Sequence, residues 1–293
     1  MNGVHRTPEA RFEGLPGFDE LRPHYREREG LRLAHLDEGD GGGSPVVLVH
    51  GQPTWSYLWR KVLPPLVAAG HRCVVPDHLG FGRSDKPQDL AAYSYERHAG
   101  LLADLLDTLD LHDVTMVVHD WGGPIGLRVA VERPDRVARM VLMDTGVVTG
   151  RERLSDTWQA FRDYVARTPE LPVGQLVGAG CHVTPPAEVL AAYDAPFDGA
   201  ESQGGVHAFP TLVPVSPDAP GAAAGARVKA ALREDRRRLL MLWAAADPVF
   251  PLKAGEAFAA SLGRGIDRVV EDAGHFLQED RGSEVGALIA EWL

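Results

Sequence analysis

A carboxylate stands at position 120 in a setting built for a nucleophile. The segment Val114-Thr115-Met116-Val117-Val118-His119-Asp120-Trp121-Gly122-Gly123-Pro124-Ile125-Gly126-Leu127 reads as a buried strand, a sharp turn and a helix. Such an elbow pushes a catalytic side chain out at the top of a parallel sheet. An aspartate there is charged at neutral pH and needs no base to attack. It suits displacement at saturated carbon better than acyl transfer. Asp120 could instead cap the following helix, but the paired glycines and the strand-turn-helix context favour the nucleophile.

Three further stretches supply what such a nucleophile would need. His275, in Asp272-Ala273-Gly274-His275-Phe276, follows the last predicted strand and is a candidate base. Asp247, in Ala245-Ala246-Asp247-Pro248, follows the strand before it and is a candidate acid. The order nucleophile, acid, histidine is that of the α/β-hydrolases. His50-Gly51-Gln52-Pro53 follows an earlier strand, where the backbone N–H of Gln52 can join that of Trp121 in an oxyanion hole. Asp144, in Val141-Leu142-Met143-Asp144-Thr145, is a second carboxylate after the intervening strand and the second choice as acid.

The elements that must position these residues alternate between β-rich runs and helical patterns, which implies a mostly parallel central sheet flanked by helices. Strands are expected at Leu31 to Asp37, Val46 to His50, Arg72 to Val75, Val114 to His119, Arg139 to Met143, Leu239 to Ala245 and Arg268 to Glu271. Helices are expected at Ser56 to Ala69, Tyr95 to Leu109, after the elbow, and at Ser283 to Leu293. From about Val147 to Ala224 the strand runs vanish, and helical stretches such as Ser155 to Arg167 dominate between prolines and glycines. This predicts a core of residues 1–146 and 225–293 with a helical cap, residues 147–224, inserted after the sixth strand. Pro210 to Pro220 reads as the returning linker. Trp55, Trp59 and Trp243 read as packing residues, and Cys181-His182 as structural.

Taken together, the four stretches resemble the α/β-hydrolase fold with an aspartate nucleophile, and more closely the haloalkane dehalogenases. The likeness rests on His50-Gly51-Gln52-Pro53-Thr54-Trp55-Ser56-Tyr57-Leu58-Trp59-Arg60, Phe81-Gly82-Arg83-Ser84-Asp85-Lys86-Pro87, Asp120-Trp121-Gly122-Gly123 and Gly274-His275-Phe276-Leu277-Gln278-Glu279, and it spans essentially the whole chain. The resemblance is to the subfamily with two halide-holding tryptophans and an Asp-His-Asp triad. It implies cleavage of a carbon–halogen bond to a primary alcohol, halide and a proton. Asp120 would form an alkyl ester, and water activated by His275, itself oriented by Asp247, would hydrolyse it. Trp121 and Trp158 would hold the halide, and the N–H groups of Gln52 and Trp121 would form the oxyanion hole. An indole suits a halide because it offers one N–H and no acceptor to repel an anion. Two departures stand out. Related enzymes often carry Glu where this chain has Gln52, and another subfamily keeps its acid at the position of Asp144.

The resemblance implies no cofactor and no metal. The implied partners are a small neutral haloalkane, water and the halide product. Chain length and halogen preference would depend on cap side chains such as Phe161, Tyr164, Leu171, Val173, Leu176 and Val177. A net charge of -11 argues against nucleic acid and anionic membrane as partners. No apolar run nears the roughly 18 residues of a bilayer span. Residues Met1 to Phe12 lack an apolar signal core, and two widely spaced cysteines fit a reducing, cytoplasmic setting. Two rival functions remain at this point. An epoxide hydrolase would use the same core with cap tyrosines, such as Tyr164 and Tyr193, as proton donors. A non-catalytic binding protein would share only the fold.

Overall fold

Runs of aliphatic and β-branched residues form the strands of one eight-stranded sheet in the computed structural model, which describes residues 3–293. The strands are β1 (Pro23–Arg28), β2 (Leu31–Glu38), β3 (Val46–Val49), β4 (Cys73–Pro76), β5 (Val114–His119), β6 (Val137–Met143), β7 (Arg238–Ala244) and β8 (Arg268–Val270). In β3, β4 and β5 every residue is buried, as expected of strands covered by helices on both faces.

The spatial order is β8-β7-β6-β5-β3-β4-β2-β1, parallel from β8 to β4, with β2 antiparallel to both β4 and β1. The chain leaves β3 for β4 on one side and returns to β5 on the other. That reversal opens a crevice beyond the carboxyl ends of β3 and β5, where ligands bind in open α/β sheets. Val49 pairs with Val118, so the loop after β3 and the elbow after β5 emerge side by side.

Helices α1 (Leu63–Ala68), α2 (Tyr95–Thr108) and α3 (Gly122–Glu132) lie between the early strands, and α9 (Leu252–Ser261), α10 (Leu277–Asp280) and α11 (Gly282–Trp292) follow β7 and β8. Between β6 and β7 the described elements are all helical: α4 (Asp156–Arg167), α5 (Val173–Gly180), α6 (Ala187–Asp194), α7 (Gly204–Ala208) and α8 (Ala222–Glu234), with short 3-10 turns. Helix α8 packs on α3, and a boundary between residues 224 and 225 falls inside it.

Three details depart from the sequence reading. Strand β1 was not expected; it is polar and largely exposed, so no apolar run marks it. A short antiparallel ribbon pairs Val4–His5 with Lys86–Pro87, again without a hydrophobic signal. The single helix expected over Ser56 to Ala69 is a 3-10 turn, Ser56–Lys61, followed by α1. Pro64 and Pro65 occupy the first turn of α1; lacking an N–H, proline fits the start of a helix and not its interior.

Candidate active site

The elbow is strained at Asp120, whose φ is 49°, in the left-handed region that non-glycine residues rarely occupy. Close packing holds it there. A Cβ on Gly122 would lie 2.1 Å from the Val49 carbonyl oxygen, and one on Gly51 would lie 2.3 Å from Asp120 Oδ1. Glycine at both positions lets the β3 loop approach the carboxylate. The Gln52 N–H then donates to Asp120 Oδ1 at 2.8 Å, and the neighbouring Trp121 N–H also favours the charged carboxylate. The Thr145 hydroxyl donates to the Asp120 carbonyl at 2.5 Å and the Asp120 N–H to the Asp144 carbonyl at 3.3 Å, tying the elbow to the loop after β6. Burial pushes the Asp120 carboxyl above its ordinary value, against the pull of His275 and the two N–H donors.

His275 meets both acids' neighbourhoods but bonds one. Its Nδ1 lies 2.9 Å from Asp247 Oδ2, and its Nε2 lies 3.7 Å from Asp120 Oδ2. Asp247 is itself held: its Oδ1 accepts the N–H groups of Val249 at 2.6 Å and Phe250 at 2.9 Å. Trp243, a buried strand residue, donates its indole N–H to the Phe250 carbonyl at 2.8 Å and braces the same loop. Burial alone would lower the His275 pKa; the charges of Asp247, then Asp120 and Asp144, outweigh it and raise it to about 9. Asp144 is fully buried and makes no hydrogen bond to His275. Its Oδ1 accepts the Ala244 N–H at 3.0 Å, and its Oδ2 has no partner. Burial, reinforced by the charge of Asp247, raises its pKa well above the carboxylate range. Of the two carboxylates, Asp247 alone has the geometry to orient the imidazole.

Above Asp120 lies a cavity of about 470 Å³ whose lining includes Asp120, Trp121, Trp158, Val148, Leu212 and Phe250. Trp121 begins the elbow helix. Trp158 sits in the first turn of α4, where the Ser155 hydroxyl accepts the Trp158 N–H at 3.1 Å and caps the helix. Neither indole N–H of this pair has a hydrogen-bond partner among the described residues; Trp55 and Trp243 donate theirs to the carbonyls of Ala192 and Phe250, while that of buried Trp59 also has no partner. Trp55 and Trp59 are fully buried, as packing residues should be.

The expected specificity residues are elsewhere. None of Phe161, Tyr164, Leu171, Val173, Leu176 and Val177 lines the cavity. Leu171, Val173 and Val177 are core residues, Phe161 and Leu176 pack against that core, and Tyr164 is exposed. Helical periodicity marks an apolar face without saying which of two buried sides it meets. Much of the wall comes instead from the strand-to-helix loops Thr145–Val148 and Val249–Pro251, and from Phe258 on α9. Sequence reasoning also missed Thr145, which the short spacing Asp144-Thr145 after a strand could have suggested. The Gln52 side chain donates to the Val206 carbonyl at 2.7 Å, so it ties the β3 loop to α7.

Comparison with known proteins agrees with this geometry. Residues 44–282 match the model of the α/β-hydrolase fold family. A haloalkane dehalogenase of Mycolicibacterium paratuberculosis is 41% identical over 299 residues, covering 99% of this chain and 98% of that protein. Haloalkane dehalogenase 1 of Mycobacterium tuberculosis is 41% identical over 297 residues, covering 99% and 98%. The solved structure of haloalkane dehalogenase DpaA from Paraglaciecola agarilytica superposes with a TM-score of 0.91 at 35% identity, over 97% of each chain. The chain belongs to the α/β-hydrolase fold family and, within it, to the haloalkane dehalogenases.

Proposed function

We propose that this enzyme hydrolyses carbon–halogen bonds of small neutral haloalkanes in two steps, with Asp120 as nucleophile, His275 as base, Asp247 as its acid partner, and Trp121 and Trp158 as the halide site. One observation carries the reading: Asp120 Oδ1 is held by the Gln52 N–H while Oδ2 faces His275 Nε2 at 3.7 Å. Oδ2 attacks the halogen-bearing carbon; the carbon–oxygen bond forms as the carbon–halogen bond breaks, and halide leaves with the bonding pair. Halide needs no proton, only donors aimed at the growing charge. Trp121 and Trp158, both in the cavity lining, are the proposed donors through their unpartnered indole N–H groups. Hydrogen bonds to charged groups are worth about 1.5–3 kcal/mol, so two formed mainly in the transition state supply about two to four decades in rate.

In the second step water adds to the ester carbon and gives its proton to His275 Nε2. The carbonyl oxygen that becomes an oxyanion is Oδ1, already bonded by the Gln52 N–H, with the Trp121 N–H as the proposed second donor, so the oxyanion hole is largely preformed. Collapse releases the alkoxide, which takes the proton from His275. The regenerated Asp120 carboxyl loses the net proton to water.

The epoxide reading lacks its proton donor. Tyr193 is buried with its hydroxyl bonded to Glu279, Tyr164 is exposed, and neither lines the cavity. Tyr95 does line it, but its hydroxyl donates to the Pro124 carbonyl at 2.9 Å. A purely binding role would leave the His275–Asp247 pair without a task. Helices α4 to α7 form the proposed cap over the core. No helix among the described residues is long and apolar enough to cross a membrane. The net charge of -11 and two free cysteines fit a cytoplasmic enzyme that does not bind nucleic acid or membrane.

The test is His275→Phe. With a short bromoalkane it should release one equivalent of bromide and accumulate an alkyl ester, seen by mass on the peptide carrying Asp120. Release of halide without a trapped ester would overturn the two-step scheme.

A further inference from the structure

The residue just before the nucleophile reaches the backbone of the base. His119 ends β5, fully buried, and its Nε2 lies 2.8 Å from the carbonyl oxygen of His275. A carbonyl only accepts, so Nε2 carries the proton and donates. Nδ1 is then a bare acceptor, and it has no partner. An apolar side chain would fill this space without stranding a buried nitrogen, which destabilises a fold. The single bond His119 makes is therefore the feature that distinguishes it from simple packing. The two imidazoles also lie against each other, with ring centroids 4.7 Å apart.

The other anchors of the His275 loop do not come from the strand that carries Asp120. Asp247 holds the imidazole at Nδ1, and Asp280 accepts the N–H of Gly274 at 2.9 Å. Both act from the side of the later strands or from the loop itself. Among the described residues, only His119 joins the His275 backbone to the strand that carries Asp120 by a hydrogen bond. The gap between His275 Nε2 and Asp120, 3.7 Å to Oδ2, must accept a water molecule in the second step, so its width matters to that step and not to the first.

We propose that His119 is a positioning residue that fixes the base against the nucleophile's strand through the hydrogen bond from its Nε2–H to the His275 carbonyl. This rests on the two-step reading above. Burial holds the His119 pKa well below its ordinary value, with the charge of His275 adding to the effect, so it stays a neutral donor beside a cationic base.

Two substitutions separate the bond from the bulk. His119→Leu fills the space without a donor, and His119→Gln restores an N–H. Rapid-mixing measurements read halide release for the first step, and quenched-flow mass analysis reads decay of the alkyl ester for the second. A misplacement near 1 Å costs about a hundredfold in a positioned reaction. We expect ester decay in His119→Leu to slow by about ten- to a hundredfold while the halide step stays within about threefold. His119→Gln should recover most of the loss. Should the leucine variant not fold, His119→Asn serves, because its amide is too short to reach the carbonyl. Equal slowing of both steps, no slowing, or a glutamine variant as slow as the leucine one would each overturn the proposal. Absence of any ester in the parent enzyme and in all variants would overturn the two-step reading itself, and this role with it.

Discussion

Replacing each of the two buried acids by its amide separates their roles. Asp247 Oδ2 meets His275 Nδ1 at 2.9 Å while its Oδ1 takes two backbone N–H groups. In Asp247→Asn the carbonyl oxygen stays with the backbone donors, which leaves the amide NH₂ facing the imidazole N–H. Either the two donors collide or the imidazole changes tautomer and loses the lone pair at Nε2 that accepts the water proton. Breaking a buried ion pair costs about 3–5 kcal/mol, and at 1.36 kcal/mol per decade that is about two to four decades. The loss should fall on ester hydrolysis, because halide displacement does not use the imidazole. In Asp144→Asn the oxygen that accepts the Ala244 N–H at 3.0 Å is retained, and the other oxygen has no partner to lose. Asp144 makes no hydrogen bond to His275 and its charge is the smallest of the three that raise the His275 value, so the change should stay within about 1 kcal/mol, or fivefold. The assay is a bromide burst on rapid mixing, with ester mass followed by quenched flow. A slower ester decay in Asp144→Asn than in Asp247→Asn would refute the reasoning and transfer the acid role to Asp144.

Two other outcomes follow from the same geometry. Trp121→Phe and Trp158→Phe each keep an aromatic wall but remove one N–H; each should slow halide displacement by about 1.5–3 kcal/mol, or one to two decades, read in the burst rate, and unchanged bursts would remove that tryptophan from the halide site. For pH, His275 is raised to about 9 in the folded chain, while an imidazole in the unfolded chain titrates near 6.5. The stability from its ion pairs is complete below about pH 6.5 and is lost as pH rises through about 9. Melting temperatures should fall across that window and should fall less in His275→Phe; parallel profiles would contradict the raised value.

The sheet and the elbow were legible in the sequence because their signals are local. Buried strands read as short aliphatic runs, and a carboxylate between such a run and a glycine pair marks the turn that strains it. Asp120, Gln52, Asp247 and His275 were placed because each follows a strand, and parallel strands bring those loops to one edge. The cap residues were not legible for a different reason. Leu171, Val173 and Val177 are apolar whether they face the cavity or the core behind it, and periodicity does not distinguish the two. Strand β1 escaped because an exposed antiparallel edge needs no hydrophobic face. The choice between Asp247 and Asp144 was open in the sequence because both follow adjacent strands; only the direction of each carboxylate separates them, and that is set by Val249, Phe250 and Ala244 N–H groups that any residue type would supply.

The raised His275 pKa poses a problem that the two-step scheme resolves. At about 9, the imidazole is protonated at neutral pH, and a protonated imidazole accepts nothing. Part of that stabilisation comes from Asp120, whose charge lies 3.7 Å from Nε2. Alkylation turns Asp120 into a neutral ester and removes the charge. Among the causes of the raised value the Asp120 charge stands behind Asp247. In the proposed scheme, losing it lowers the His275 pKa toward the neutral range, while the bond to Asp247 still orients the ring. On the proposed two-step reading, the first step thus creates the base that the second step needs. In the proposed scheme Asp120 helps hold His275 protonated in the free enzyme and releases it on alkylation, while Asp247 orients the ring throughout.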